Sequence, residues 1–202
     1  MDRLRWQDWY AAALDGYHLL RAQCQQVFVV GHSMGGALAL LLGAQVPVDG
    51  LAVLAAPVGF SSRTMQYAHL LRFVLPYTHQ GDPSKLPDVI RAEQARRGEP
   101  VIGRVRYDRW STAAVSQLYR LAQAAYDQLP AVTAPLLLLY SQADVVVPLT
   151  NQTTIASRVR SAVIEQAVVN HSDHILIQDE ERDRVFQRAA DFIAAHVRPT
   201  QL

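Results

Sequence analysis

Trp6, Tyr10, Ala13, Leu14, Tyr17 and Leu20 recur at intervals of three and four positions. Residues 4–22 therefore read as an amphipathic helix with one apolar face. The pattern then changes. Residues 26–30, 51–55 and 136–140 are short, nearly continuous apolar runs, and 163–169 is a fourth, less uniform one. Runs of that length suit strands buried on both faces, as in a parallel sheet. Helical stretches separate them. Residues 36–44 follow the first run directly. Residues 180–197 close the chain, with Val185, Phe186, Ala189, Phe192, Ile193 and His196 or Val197 on one face. Strands alternating with helices predict an α/β fold with helices on both faces of the sheet.

Residues 58 to about 130 break this rhythm. They hold no convincing strand and are helical in composition over 63–75, 83–97 and 110–129. Pro76, Gly81-Asp82-Pro83, Pro87 and Gly98-Glu99-Pro100 punctuate them. The first part carries much apolar bulk, including Phe60, Met65, Tyr67 and Phe73. The expected organisation is a core built from 1–57 and 131–202, with 58–130 as a helical cap inserted over the strand ends.

Composition narrows the function classes. At 202 residues and 50% hydrophobic, the chain is long enough for one sizeable core. It holds 19 basic and 18 acidic residues, interspersed, for a net charge of +1. That balance gives no support for a nucleic-acid or anionic-membrane partner. The one cysteine, Cys24, allows neither an internal disulfide nor a thiolate metal cluster. Its expected role is packing, and a cytoplasmic setting fits. No apolar run reaches the length of a membrane span, and residues 1–6 lack the apolar centre of a signal peptide.

The chemistry concentrates in Val29-Val30-Gly31-His32-Ser33-Met34-Gly35-Gly36. An apolar strand enters a G-x-S-x-G turn and a helix follows at once, the context of a nucleophile elbow. Gly31 and Gly35 are expected where a Cβ would collide with neighbouring backbone. A serine hydroxyl is a weak nucleophile at neutral pH and needs a base, itself held by an acid. Asp144 lies in the loop after the 136–140 strand. His174 and His171 lie after the last strand and compete for the base. His174 is favoured, because Ile175-Leu176-Ile177 can anchor its loop; Asp173 beside it either tunes its environment or, as expected, is a surface loop residue. No histidine has a second ligand at metal-binding spacing, so no metal or cofactor is expected. His32, Phe60, Met65 and Tyr67 are candidate pocket residues.

These features resemble the bacterial carboxylesterase and monoacylglycerol lipase branch of the α/β-hydrolase superfamily. The resemblance rests on the Gly-His-Ser-Met-Gly-Gly elbow, Val48-Asp49-Gly50-Leu51 with Ala55-Ala56-Pro57, the Pro135 strand with Asp144, and Ser172-Asp173-His174-Ile175-Leu176-Ile177-Gln178-Asp179. The last usually carries Gly or Tyr where this chain has Asp173. The resemblance implies Ser33 as nucleophile, Asp144 as acid, His174 as base and the Met34 N–H as an oxyanion donor. The substrates implied are short- to medium-chain acyl or monoacylglycerol esters, small molecules handled without a cofactor. It also implies an α/β-hydrolase fold with an incomplete parallel sheet of about four strands, because such proteins carry strands and a His-Gly-Phe-like oxyanion loop before the helix that opens this chain. The first strand is then expected at an exposed sheet edge, and the chain as the C-terminal part of a longer hydrolase. The alternatives are an inactive remnant, a subunit completed by another chain, or a peptidase, thioesterase or acyltransferase using the same three residues.

Overall fold

The computed structural model describes residues 4–60, 67–71, 73–79, 86–103 and 109–199. Along the chain run α1 (Trp6–Arg21), β1 (Phe28–His32), α2 (Met34–Gln45), β2 (Gly50–Leu54), α3 (Ala68–Leu71), β3 (Tyr77–His79) and α4 (Leu86–Arg96). Then come β4 (Arg109–Ser111), α5 (Thr112–Gln128), β5 (Leu136–Ser141), α6 (Thr150–Arg158), β6 (Ile164–Val169) and α7 (Arg182–His196). Four strands form a parallel sheet in the order β1-β2-β5-β6. The chain has the α/β-hydrolase fold.

The alternation of side chains along each strand decides what each face meets. Leu51, Val53, Leu136, Leu138 and Tyr140 join Leu40, Leu41, Leu121, Ala125 and Ile155 in the main core, so α2, α5 and α6 cover one face. Ala52 and Leu137 pack on Ala189 and Phe192, and Leu54 and Leu139 on Val185, so α7 covers the other. The four leucines of β5 are 0–1% exposed. Each contributes about 1.5–3 kcal/mol of burial free energy.

β1 lies at the sheet edge. Among the described residues no strand pairs with its outer side. Val30 aligns with Ala52 and so points to the face covered by α7. That helix packs mainly over β2 and β5, and Val30 is 52% exposed.

Several expectations change. β1 starts two residues late, because the Asp49 carboxylate takes the Val27 N–H at 2.8 Å and pairing with β2 begins at Phe28. The 58–130 segment does contain strands: β3 and β4 pair antiparallel, Tyr77 opposite Ser111. Within it α5 packs on α2 and sinks Leu121 and Ala125 into the main core. α6 was not anticipated, since Thr150, Thr153 and Thr154 are poor helix formers. It forms on tertiary support. Ile155 is fully buried, and the Gln152 amide donates to the Leu138 and Ala167 carbonyls. Phe186 is half exposed rather than inward. Cys24 is exposed rather than packed. No helix among the described residues is long and apolar enough to cross a membrane.

Candidate active site

Ser33 stands between β1 and α2 with φ 54° and ψ −119°. A residue other than glycine in such a conformation stores about 1–3 kcal/mol. Surrounding contacts hold it there. The Ser33 N–H donates to the Leu54 carbonyl at 2.8 Å, and the Ser33 carbonyl accepts the N–H groups of Gly36 and Ala37. Glycines let the two arms of the turn meet. A Cβ on Gly31 would lie 2.2 Å from the Gly35 carbonyl oxygen, and one on Gly36 would lie 2.7 Å from the Ala56 Cβ. Gly35 is different from expectation. A Cβ there meets nothing within 4 Å, and the close approach expected of it falls on Gly36 instead.

The strand ends bring two further side chains to this turn. β2 separates β1 from β5, yet the loops at their C-terminal ends converge. The His174 Nε2 lies 2.8 Å from the Ser33 Oγ, and its Nδ1 lies 2.8 Å from the Asp144 Oδ2. Asp144 uses its other oxygen to accept the Val146 and Val147 N–H groups, both at 2.8 Å. Its side chain is fully buried and that of His174 is 10% exposed. With Asp144 accepting at Nδ1, the imidazole carries its proton on that nitrogen. The Nε2 lone pair then faces the Ser33 hydroxyl, which donates to it. This is the arrangement a serine needs to lose its proton as it attacks. Met34 opens α2, where first-turn N–H groups have no intrahelical acceptor and can face developing negative charge.

The remaining candidates divide. His171 is exposed, and its backbone N–H donates to Glu181. His32 lies against His174. Its Nε2–H donates to the His174 carbonyl at 2.7 Å, and the two rings tilt together with centroids 5.2 Å apart. Phe60 stacks on Tyr119 and helps line a cavity of about 460 Å³ with Val58, Tyr126, Pro148 and Thr150. The cavity lies on the strand-end side of the sheet. Tyr67 is 53% exposed. Met65 lies outside the described residues.

Other supporting side chains carried weak signals in the sequence. Asn151 is buried, and its Oδ1 accepts the Val58 and Gly59 N–H groups at 2.9 and 2.7 Å, fixing the loop after β2. The Ser141 hydroxyl donates to the Ser172 carbonyl. Asp173 is the departure from the usual pattern beside His174, and that departure is the available hint that it does something local. The Tyr140 phenol donates to the Ala56 carbonyl, and burial pushes its acidity far down, keeping it neutral. Among the described residues no group of three or more His, Cys, Asp or Glu side chains is arranged to hold a metal ion.

Residues 6–181 match the family described as serine aminopeptidase, S33. The chain belongs to this family. It is 28% identical over 197 residues to a thermostable monoacylglycerol lipase of Bacillus sp. strain H-257, spanning 97% of this chain and 74% of that protein. It is 22% identical over 188 residues to a carboxylesterase of Bacillus subtilis strain 168, spanning 93% and 72%. The structure superposes with a TM-score of 0.83 on one described under the metagenome-derived lipolytic enzymes LipS and LipT, at 21% identity, covering 96% of this chain and 76% of that one. This S33-family chain thus spans about three-quarters of the length of these relatives.

Proposed function

We propose that this chain is a serine hydrolase of carboxylic esters, with Ser33 as nucleophile, His174 as general base and Asp144 as its orienting acid. The observation that carries the reading is the unbroken line from Ser33 Oγ through His174 to Asp144, with 2.8 Å at each contact. Ser33 Oγ attacks the ester carbonyl carbon and its proton passes to His174 Nε2. The Met34 N–H steadies the oxyanion. Collapse breaks the bond to the alcohol, which leaves with the proton from His174. Water then attacks the acyl-serine, giving its proton to His174, and the acid departs as Ser33 is regenerated.

The names of the relatives support an ester as substrate. The substrate this reading takes is a short- to medium-chain acyl ester or a monoacylglycerol; the cavity walled by Val58, Phe60, Tyr126 and Pro148 has neither Ser33 nor His174 in its lining. The family description favours a second reading, the hydrolysis of an N-terminal peptide bond by the same three residues. The free Cys24 thiol fits a reducing, cytoplasmic setting.

Turnover of 4-nitrophenyl esters from acetate to myristate, of 1-monoacylglycerols and of aminoacyl 4-nitroanilides separates the readings. Ester turnover should dominate, and Ser33→Ala should lower kcat by about 10⁴-fold or more. Retained ester turnover in Ser33→Ala overturns the assignment. Anilide turnover exceeding ester turnover makes the chain a peptidase.

A further inference from the structure

The loop that carries His174 is held in an unusual way. Its successive backbone N–H groups all donate to carboxylates. The Glu181 carboxylate accepts from Asn170, His171 and Ser172 at 3.0, 2.8 and 2.9 Å. Asp179, itself buried, accepts from Asp173 at 2.8 Å. Asp173 accepts from His174 at 2.6 Å. Burial pushes the Glu181 carboxyl up, but its three backbone donors and the Ser172 side chain together outweigh that and hold it below the usual range, so it remains an acceptor.

The last of these carboxylates also reaches out of the loop. The same Asp173 Oδ1 that takes the His174 N–H accepts the N–H of Val145, the residue after the acid, at 3.3 Å. Apart from Asp144, which meets His174, and Gln142, whose N–H donates to the Val169 carbonyl, the backbone of the acid loop bonds largely within itself. Ala143 donates to the Ser141 hydroxyl, and Val146 and Val147 donate to Asp144. Only the Val145 N–H among these crosses to the base loop. Beneath it, the Ser141 hydroxyl crosses in the same direction to the Ser172 carbonyl. Besides the Asp144–His174 contact itself, two hydrogen bonds therefore stitch the loops together. Ser141–Ser172 is fully buried, and Asp173–Val145 sits nearer the surface beside the reacting groups.

We infer that Asp173 is a positioning residue that sets the separation of acid and base. Its carboxylate oxygen binds the backbones of Asp144's neighbour and of His174 itself, so it fixes both ends of the Asp144–His174 hydrogen bond. A displacement of about 1 Å in such a constellation can cost on the order of 100-fold in rate. The role is geometric. It needs an oxygen acceptor at that point rather than a charge, so an asparagine can fill it and an alanine or glycine cannot. The kinetic part of this inference rests on the ester-hydrolase reading; the geometric part does not.

Four chains test it: wild type, Asp173→Ala, Asp173→Gly and Asp173→Asn. The first readout is the low-field ¹H NMR signal of the His174 Nδ1 proton shared with Asp144, which needs no substrate. Asp173→Ala and Asp173→Gly should shift this signal upfield or lose it to solvent exchange, and Asp173→Asn should restore it. The second readout is 4-nitrophenyl butyrate turnover, where kcat should fall about tenfold in the alanine and glycine variants, with KM within twofold, and recover in the asparagine variant. Two deletion variants guard against one failing to fold, and the melting temperature of each reports that directly. If Asp173→Ala and Asp173→Gly keep the proton signal unchanged, the inference is overturned. It is also overturned if Asp173→Asn behaves like alanine, which would assign the effect to charge. If wild type turns over no ester while the NMR series behaves as stated, the ester reading fails and the positioning role stands.

Discussion

A methyl group on residue 31 would sit 2.2 Å from a backbone oxygen, while one on residue 35 would meet open space. The two glycines of the elbow pentapeptide therefore do different work, which the spacing in the sequence cannot express. Gly31→Ala should destabilise the fold by about 3 kcal/mol or more, because the obstructing atoms are backbone and cannot step aside. Gly35→Ala should change stability by no more than about 1 kcal/mol, in the favourable direction expected of alanine in a helix. Chemical denaturation of the two variants checks the contrast, and equal losses would contradict it. His32 makes a related point. Its position inside the elbow marked it as a pocket candidate, but its contact with the His174 carbonyl exists only because two segments remote in sequence meet.

At the scale of elements, α4 and the start of α7 are tied by ions. Arg97 bridges Glu93 at 2.5 Å and Asp183 at 2.6 Å, and Arg182 pairs with Glu99. The Arg96 hydrogen bond lowers the Glu93 carboxyl most; burial opposes this and Arg97 adds to the lowering, leaving it at about 2 against the usual 4.5. A carboxyl with a folded value below its unfolded one stabilises the fold at any pH above the unfolded value. That contribution fades as pH falls toward the folded value. Wild type should therefore melt at a higher temperature than Glu93→Gln at pH 7. The gap should shrink between pH 4.5 and 2 and be nearly closed at pH 2. A gap independent of pH would mean that shape, not charge, holds the pair. The composition of residues 83–97 reads as helical, which does not show that Glu93 is buried. Glu93 is buried with both Arg96 and Arg97 on its carboxylate, and Arg97 in turn reaches Asp183, far along the chain. α6 escaped detection for the converse reason. Its own residues favour a helix weakly, and the strand carbonyls that accept from Gln152 supply what propensity does not.

For the whole molecule, the unpaired edge is the dominant feature. The outer backbone of β1 has no strand partner among the described residues, and Val30 stands exposed beside it. Apolar edges of this kind pair with other chains. Val30→Lys should reduce concentration-dependent self-association, read as apparent mass by light scattering. It should change folding stability by no more than about 0.5 kcal/mol, because the side chain is already in water. An unchanged mass profile would rule out this edge as the contact. The edge was expected from the sequence through the resemblance, and the structure gives it a physical form: α7 packs mainly on β2 and β5, and Val30 on this face of β1 is half exposed.

By itself the sequence determined the alternation of strands and helices, because buried parallel strands need continuous apolar runs and the helices that cover them need one apolar face. It also determined the order Ser33, Asp144, His174 and the turn chemistry around Ser33, because these are local properties of short segments. Only the tertiary structure decided which side chains support those three. Asp173 joins two loops, His32 holds the carbonyl of His174, Asn151 holds the loop after β2, and Gly36 rather than Gly35 admits Ala56. Each of these depends on atoms brought together from distant parts of the chain. A hydrogen bond or a steric limit between them leaves no periodic trace in the sequence.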